Sequence, residues 1–277
     1  MNSSLNDLFL CLANDTNPVY GSEDLFGFTE ASFTCQDSPA LSRRYCQADI
    51  ELVAAVCSGR FNPSLLNEPA RGFYELSESA FYNFINAWMS ELPIEVEMLK
   101  FGRRVIAAGE GASGGIAARQ QAAERAASDH GDADTIVVMN AAYKVFHEVH
   151  RMMGFLRFSP DNTGAFIARC TPDHLILPAL GNYFTARFGE TAAWSIIDEK
   201  RSLCLSRRTG EQVKIAGYYI EDFAVLKAES GGKNADEWEE LWRHYHKTIN
   251  NESRSNPNLQ RQLMPKRYWK YLPEISS

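Results

Sequence analysis

The chain has no C-x-x-C pair, no apolar run long enough to cross a membrane, no internal repeat and no surplus of positive charge. Each absence removes a class of function. The longest apolar stretch near the start, Leu8 to Ala13, is six residues long, far short of the roughly 20 that span a bilayer. No basic residue precedes it, as one would in a secretory leader, so the expectation is a cytoplasmic protein without membrane contact. The cysteines at 11, 35, 46, 57, 170 and 204 match no compact zinc or iron–sulfur spacing, which predicts free thiols and no intrinsic metal or cofactor. With 28 Lys plus Arg against 35 Asp plus Glu, a net charge of −7, bulk electrostatics repel nucleic acid unless the cations are gathered locally.

They are gathered. Residues 1–60 carry eight acids against Arg43, Arg44 and Arg60, whereas residues 254–271 carry Arg254, Arg261, Lys266, Arg267 and Lys270 and no acid. An acidic front and a basic tail imply that the two ends do different jobs. The length, 277 residues with 45% hydrophobic, supplies a full core and allows one large domain or two moderate ones.

Periodicity predicts an α+β protein. Residues 1–108 read as a mainly helical N-terminal region: Leu5–Ala13, Ala48–Cys57, Ser77–Leu92 with Phe81, Phe84, Ile85, Trp88 and Leu92 at helical spacing, then Ile94–Ala108, with Gly109 to Gly115 as the break. The alanine-rich, glycine-flanked residues 109–134 read as a linker or surface insertion. Residues 135–277 form an α+β domain with a basic aromatic tail. There a helix from Ile136 to Met153 is expected to bury Met139, Tyr143, Phe146, His150 and Met153. Short β-rich runs at 155–158, 165–170, 193–197 and 203–206, with a helix N-capped at Thr171 and Pro172 and restarted at Pro178, predict a four-stranded antiparallel sheet in the order β-β-α-β-β, flanked by helices. A last helix, Ala235 to about Asn250, leads to the helical basic C-terminal segment.

Several residues are placed to do chemistry. His147 and His150 stand three apart on one helix, but the H-E-x-x-H spacing of a zinc site is missing. Lys144, His147 and Arg151 share a face suited to phosphate. Asp173 and His174 sit where backbone N–H groups could take an anion. Asp198 and Arg201 are expected to form a simple ion pair. Gly109 to Gly115 lacks the Gly-Lys-Ser/Thr ending of a phosphate loop. In the tail, Gln260, Arg261, Lys266, Arg267, Tyr268, Trp269 and Lys270 interleave cations with aromatics. Cations neutralise phosphates while ring faces stack on unpaired bases; the alternative is that Trp269 and Tyr271 pack this end onto the core.

Four blocks carry a resemblance: Glu148-Val-His150-Arg151 with Gly154-Phe-Leu-Arg-Phe158, Pro172-Asp-His174 with Leu177-Pro178, Trp194 and Asp198 with Arg201, and Asn256-Pro-x-Leu-Gln-Arg-Gln with Met264-Pro-Lys-Arg-Tyr-Trp-Lys-x-Leu-Pro273. In this order, over about residues 80–275, the chain resembles a bacterial family assigned to DNA metabolism or DNA repair. That family is typically encoded beside a radical-SAM protein, and its C-terminal domain of unknown function also occurs fused to uracil-DNA glycosylase. The resemblance implies a protein that binds damaged or single-stranded DNA, through Arg151, Arg157 and the tail, and serves a radical-SAM partner or a uracil-DNA glycosylase. A second class is an enzyme acting on DNA by base excision or strand cleavage, with His150, Asp173 and His174 as acid–base groups. The third is a protein-binding adaptor without DNA contact.

Overall fold

The computed structural model describes residues 4–14, 47–58, 61–161, 163–189, 191–217, 235–251, 253 and 255–275; Cys35, Cys46 and Arg254 lie outside them. The described residues divide into two compact units inside one helix, between His147 and Glu148.

The first unit is helical. Helices α1 (Leu5–Asn14), α2 (Gln47–Cys57), α3 (Glu68–Leu76), α4 (Glu78–Met89), α5 (Glu95–Glu110) and α6 (Ile116–Ala127) precede α7 (Ala133–Phe155). Phe9 of α1 packs on Phe81 and Phe84 of α4 at ring separations of 5.7 and 5.2 Å, and Phe73 of α3 meets Phe84 at 5.7 Å. Such aromatic contacts let short helices bury a large apolar area. Ser77 joins two helices, its N–H closing α3 on Phe73 and its hydroxyl accepting the Ala80 N–H at 3.1 Å to cap α4. Buried Asp49 of α2 accepts the Leu5 and Asn6 N–H groups at 3.1 and 3.2 Å, capping α1 from a distance. Burial raises its carboxyl above the usual range, opposed by hydrogen bonds from Ser4, Leu5 and Asn6.

The glycine-rich break falls where expected: α5 ends at Glu110 and α6 opens at Ile116. Gly109 itself is still helical, and a Cβ there would stand 2.6 Å from Leu76 Cδ1, so the glycine admits a close approach of α3. The run after the break carries a helix. α6 packs on α5 and buries Ala123 and Ala127; alanine has little bulk, but it lets two helices come near.

Helix α7 shows the largest difference in facing. Val138, Ala141, Ala142, Val145, Val149 and Met152 are buried, while Tyr143 and Phe146 are 62% and 63% exposed and His150 is exposed. Small and β-branched residues form the buried stripe at helical spacing, and the larger aromatics that suggested the neighbouring face point to solvent.

The second unit is a mixed sheet with helices. Its strands are β1 (Ser159–Pro160), β2 (Phe166–Cys170), β3 (Trp194–Asp198), β4 (Leu203–Arg207) and β5 (Lys214–Gly217), paired in that order. The α+β class is as expected, with one strand more. Residues 155–158 are not a strand, because α7 runs through Phe155 and the first pairing is Ser159 with Ile167. Helix α8 (Leu177–Phe188) lies between β2 and β3, which pair in parallel, Phe166 beside Trp194. A helical crossover is what a parallel pair requires, so the sheet is antiparallel except at this step. Phe184 and Phe188 of α8 pack on Trp194 at 6.2 and 6.4 Å. The two-residue strand period therefore puts Phe166, Ala168 and Cys170 on the α8 face and Ile167 and Arg169 on the opposite one. Helix α9 (Ala235–Ile249), the short α10 (Pro257–Leu263) and a 3-10 segment, Lys266–Tyr271, complete the unit. Among the described residues no helix is long and apolar enough to cross a membrane.

Candidate nucleic-acid interface

The tail is tied down by a buried carboxylate. Glu148, in the last turns of α7 and 2% exposed, accepts the backbone N–H groups of Asp173 and His174, both at 2.8 Å, and the hydroxyl of Tyr268. Those N–H groups, expected to face an external anion at a helix start, are taken by this internal one. The Thr171–Pro172 start is accordingly absent, and α8 opens at Leu177 with Pro178 in its first turn.

Residues 172–174 are gripped from the other side too. Arg201 donates to the carbonyls of Pro172 and Asp173 at 3.1 and 2.7 Å, and Lys200 donates to Asp173 at 2.8 Å. Arg201 is itself held by Asp198 at 2.7 Å, both side chains almost fully buried, as the sequence spacing implied. Burial raises the Asp198 carboxyl, opposed by Arg201. Arg267 adds a third hold: 2.5 Å from the Asp173 carboxylate, 3.8 Å from Glu148, and stacked over Tyr268 at 4.6 Å.

The residues singled out by sequence thus separate by role. Tyr268 is 1% exposed, with Phe155 on its ring at 5.9 Å; its face is covered, so it anchors the tail instead of stacking on a base. Burial, then the Glu148 contact, push its phenol well above the usual range. Asp173 and Arg267 pair with each other, and His174 is half-buried beside them. His150 stands exposed on α7 and Arg151 half-buried next to it. Arg157 is held by Glu274 at 2.6 Å and by the Gly154 carbonyl at 2.6 Å. Trp269 is half-buried and donates its indole N–H to the Met264 carbonyl at 2.9 Å. Gln260, Arg261, Lys266 and Lys270 remain exposed, Arg261 reaching Pro257 and Asn258 of its own helix and Lys270 standing 3.9 Å from Glu199.

A cleft of about 260 Å³, which no sequence motif marks, is lined by residues of β1, β2, α9 and the tail. Arg157, Arg169, Lys270, Trp238, Trp242 and Tyr271 are among the residues that line it. Arg157 lies over the Trp242 ring at 4.4 Å, and Trp238 meets Phe166 edge-on at 5.8 Å. Tyr271 donates its hydroxyl to Glu199 at 2.7 Å, with Arg169 3.8 Å from the same carboxylate. Trp238 and Trp242 stand four residues apart on α9, whose Leu241, Tyr245 and Ile249 stay exposed.

Among the described residues no three His, Cys, Asp or Glu side chains converge as a metal site would need. Burial pushes the thiols of Cys57 and Cys204 up to about 12 and about 11 and raises that of Cys170 as well, so none of these is poised as a nucleophile. No curated protein and no solved structure matches the chain. Residues 115–274, from the start of α6 to the tail, match the family model described as a domain of unknown function, DUF4130. Since that span is more than half of the sequence, the chain belongs to the DUF4130 family.

Proposed function

We propose that this protein acts in DNA metabolism or repair by binding single-stranded or damaged DNA through its second unit. The observation that carries the reading is the exposure of Arg261, Lys266 and Lys270 along an acid-free segment whose backbone is fixed by the Glu148 knot. Fixed cations lose little freedom on meeting phosphates, and the release of condensed counterions drives such binding. The family resemblance adds the partners, a radical-SAM protein or a uracil-DNA glycosylase working on the same strand in the cytoplasm. Asp173, held by Arg267, and the His174 N–H, held by Glu148, serve the architecture of the loop, which favours binding over acid–base catalysis.

The test is anisotropy of a labelled single-stranded 20-mer across a salt series. Replacing Arg261, Lys266 and Lys270 together by Ala should weaken binding and flatten its salt dependence by up to about two units of log–log slope, at roughly 0.7 per phosphate contact. Arg267 is left alone because its loss would disturb the Asp173 contact. Unchanged affinity and slope, or no binding by the unaltered protein at low salt, would refute the reading. A pull-down with the radical-SAM partner that succeeds without DNA, alongside no DNA binding, would identify an adaptor.

A further inference from the structure

We infer that the cleft seats one nucleotide, a base together with its phosphate, either free or unpaired within a strand. This deepens the preceding reading and rests on it where the strand is concerned. Three features point to that chemistry. The cleft places aromatic rings, Trp238 and Trp242, beside cations, Arg169 and Lys270, in a volume of about 260 Å³. That is close to the lower end of ligand pockets, roughly 300–1,000 Å³, and suits one planar base and not a run of them.

The rings are held in place by neighbours. Trp242 is braced by the Arg157 guanidinium at 4.4 Å, and Arg157 by Glu274 at 2.6 Å; Trp238 is braced by Phe166. Braced rings supply a stacking surface at little entropic cost, and stacking tolerates any base because every base has a π-face.

The cations are disposed for a phosphate. Lys270 lies over Tyr271 at 4.5 Å and only 3.9 Å from Glu199, whose carboxylate already accepts the Tyr271 hydroxyl at 2.7 Å and faces Arg169 at 3.8 Å. One carboxylate therefore stands between two cations, and its closest hydrogen bond is to a third group. A phosphate at the Lys270 end would gain a charge-assisted contact without breaking a short ion pair. The acid on the lining, Glu239, is paired with Arg243 at 3.0 Å.

The probe is deoxyadenosine monophosphate, read by intrinsic tryptophan fluorescence, with deoxyadenosine and inorganic phosphate as controls and the labelled 20-mer run in parallel. Saturable quenching by the nucleotide, about tenfold weaker for deoxyadenosine or for Lys270→Ala, is expected. Trp242→Ala should weaken binding from about fivefold to about 150-fold, the range of one lost base–aromatic stack. Lys270 is exposed, so its variant keeps the fold even if the tryptophan variant does not. If the 20-mer binds but the nucleotide neither quenches nor competes, the cleft inference falls and the DNA reading stands. Should the nucleotide bind while no strand does, the cleft takes a free nucleotide and the DNA reading falls. If neither binds, both fall.

Discussion

The Tyr268 hydroxyl is the smallest group whose removal tests how the tail is held. Tyr268→Phe keeps the ring and its contact with Phe155 but deletes the donor to Glu148. Glu148 is 2% exposed, so water cannot replace that donor, and a hydrogen bond to a buried charge is worth about 1.5–3 kcal/mol. The second loss, the 2.9 Å bond from Arg267 to the hydroxyl, costs little, because Arg267 keeps the Asp173 carboxylate and reaches solvent. A net loss of about 2 kcal/mol lowers the melting temperature by about 4–8 °C for a protein of this size. Glu148→Gln should cost a similar amount, since one amide end must face a donor. The double variant should lose less than the sum by about 1–2 kcal/mol, because both changes remove the same contact. The assay is calorimetric melting near neutral pH. A Tyr268→Phe protein melting within 1 °C of the parent, with no coupling in the cycle, would show that the hydroxyl does not meet this carboxylate.

Alkaline pH should loosen the same region. Tyr268 and Tyr271 are both raised above the ordinary tyrosine value, chiefly by burial; the unfolded chain ionises first, so stability is fully present below about pH 10 and falls as pH rises above it. Melting temperatures from pH 9 to 11 check this, and Tyr268→Phe should flatten the decline. Asp198→Asn removes the carboxylate charge facing buried Arg201 at 2.7 Å and should cost about 3–5 kcal/mol; a loss below about 1 kcal/mol in urea titrations would contradict that. At Gly102 an added Cβ would stand 2.7 Å from Leu12 Cδ2, so Gly102→Ala should destabilise by about 1–3 kcal/mol through overpacking, and Leu12→Ala in the same chain should relieve part of the loss.

Long elements with strong periodicity were legible from the sequence. The stripe Phe81, Phe84, Ile85 and Trp88 is buried in α4, and the runs at 165–170, 193–197 and 203–206 are strands within a residue or two. Errors arose where a local signal was real but had another use. Thr171 and Pro172 are good helix starters, but the N–H groups of Asp173 and His174 are taken by Glu148, 25 and 26 positions earlier in the sequence. The two-residue strand Ser159–Pro160 and the short β5 are too brief to show alternation. Parallel pairing of β2 and β3 depends on where α8 carries the chain, which no dipeptide encodes. In the candidate site, Glu148 opens a block that carries the family resemblance, but its role comes from the meeting of three donors from residues 173, 174 and 268, far from it in sequence.

The tail shows why composition alone left two readings open. Lys266, Arg267, Tyr268, Trp269, Lys270 and Tyr271 form a 3-10 segment, and side chains three apart in such a helix eclipse one another. Tyr268 and Tyr271 therefore fall on one line, and both point inward, their hydroxyls meeting Glu148 and Glu199. Arg267 and Lys270 share a second line, the first spent on Asp173 and the second left at the mouth of the cleft. Lys266 and Trp269 share the third, the lysine 5.9 Å over the indole. An α-helix would have spread the same residues at 100° steps and mixed the roles. With a period of three, anchoring and exposed groups fall on different lines of one short segment, so the tail anchors the fold through its tyrosines while Lys266 and Lys270 stay exposed. A substitution on the tyrosine line should register in melting temperature and one at Lys266 or Lys270 in salt-dependent binding, and a variant of either line that moved the other readout more would contradict this division.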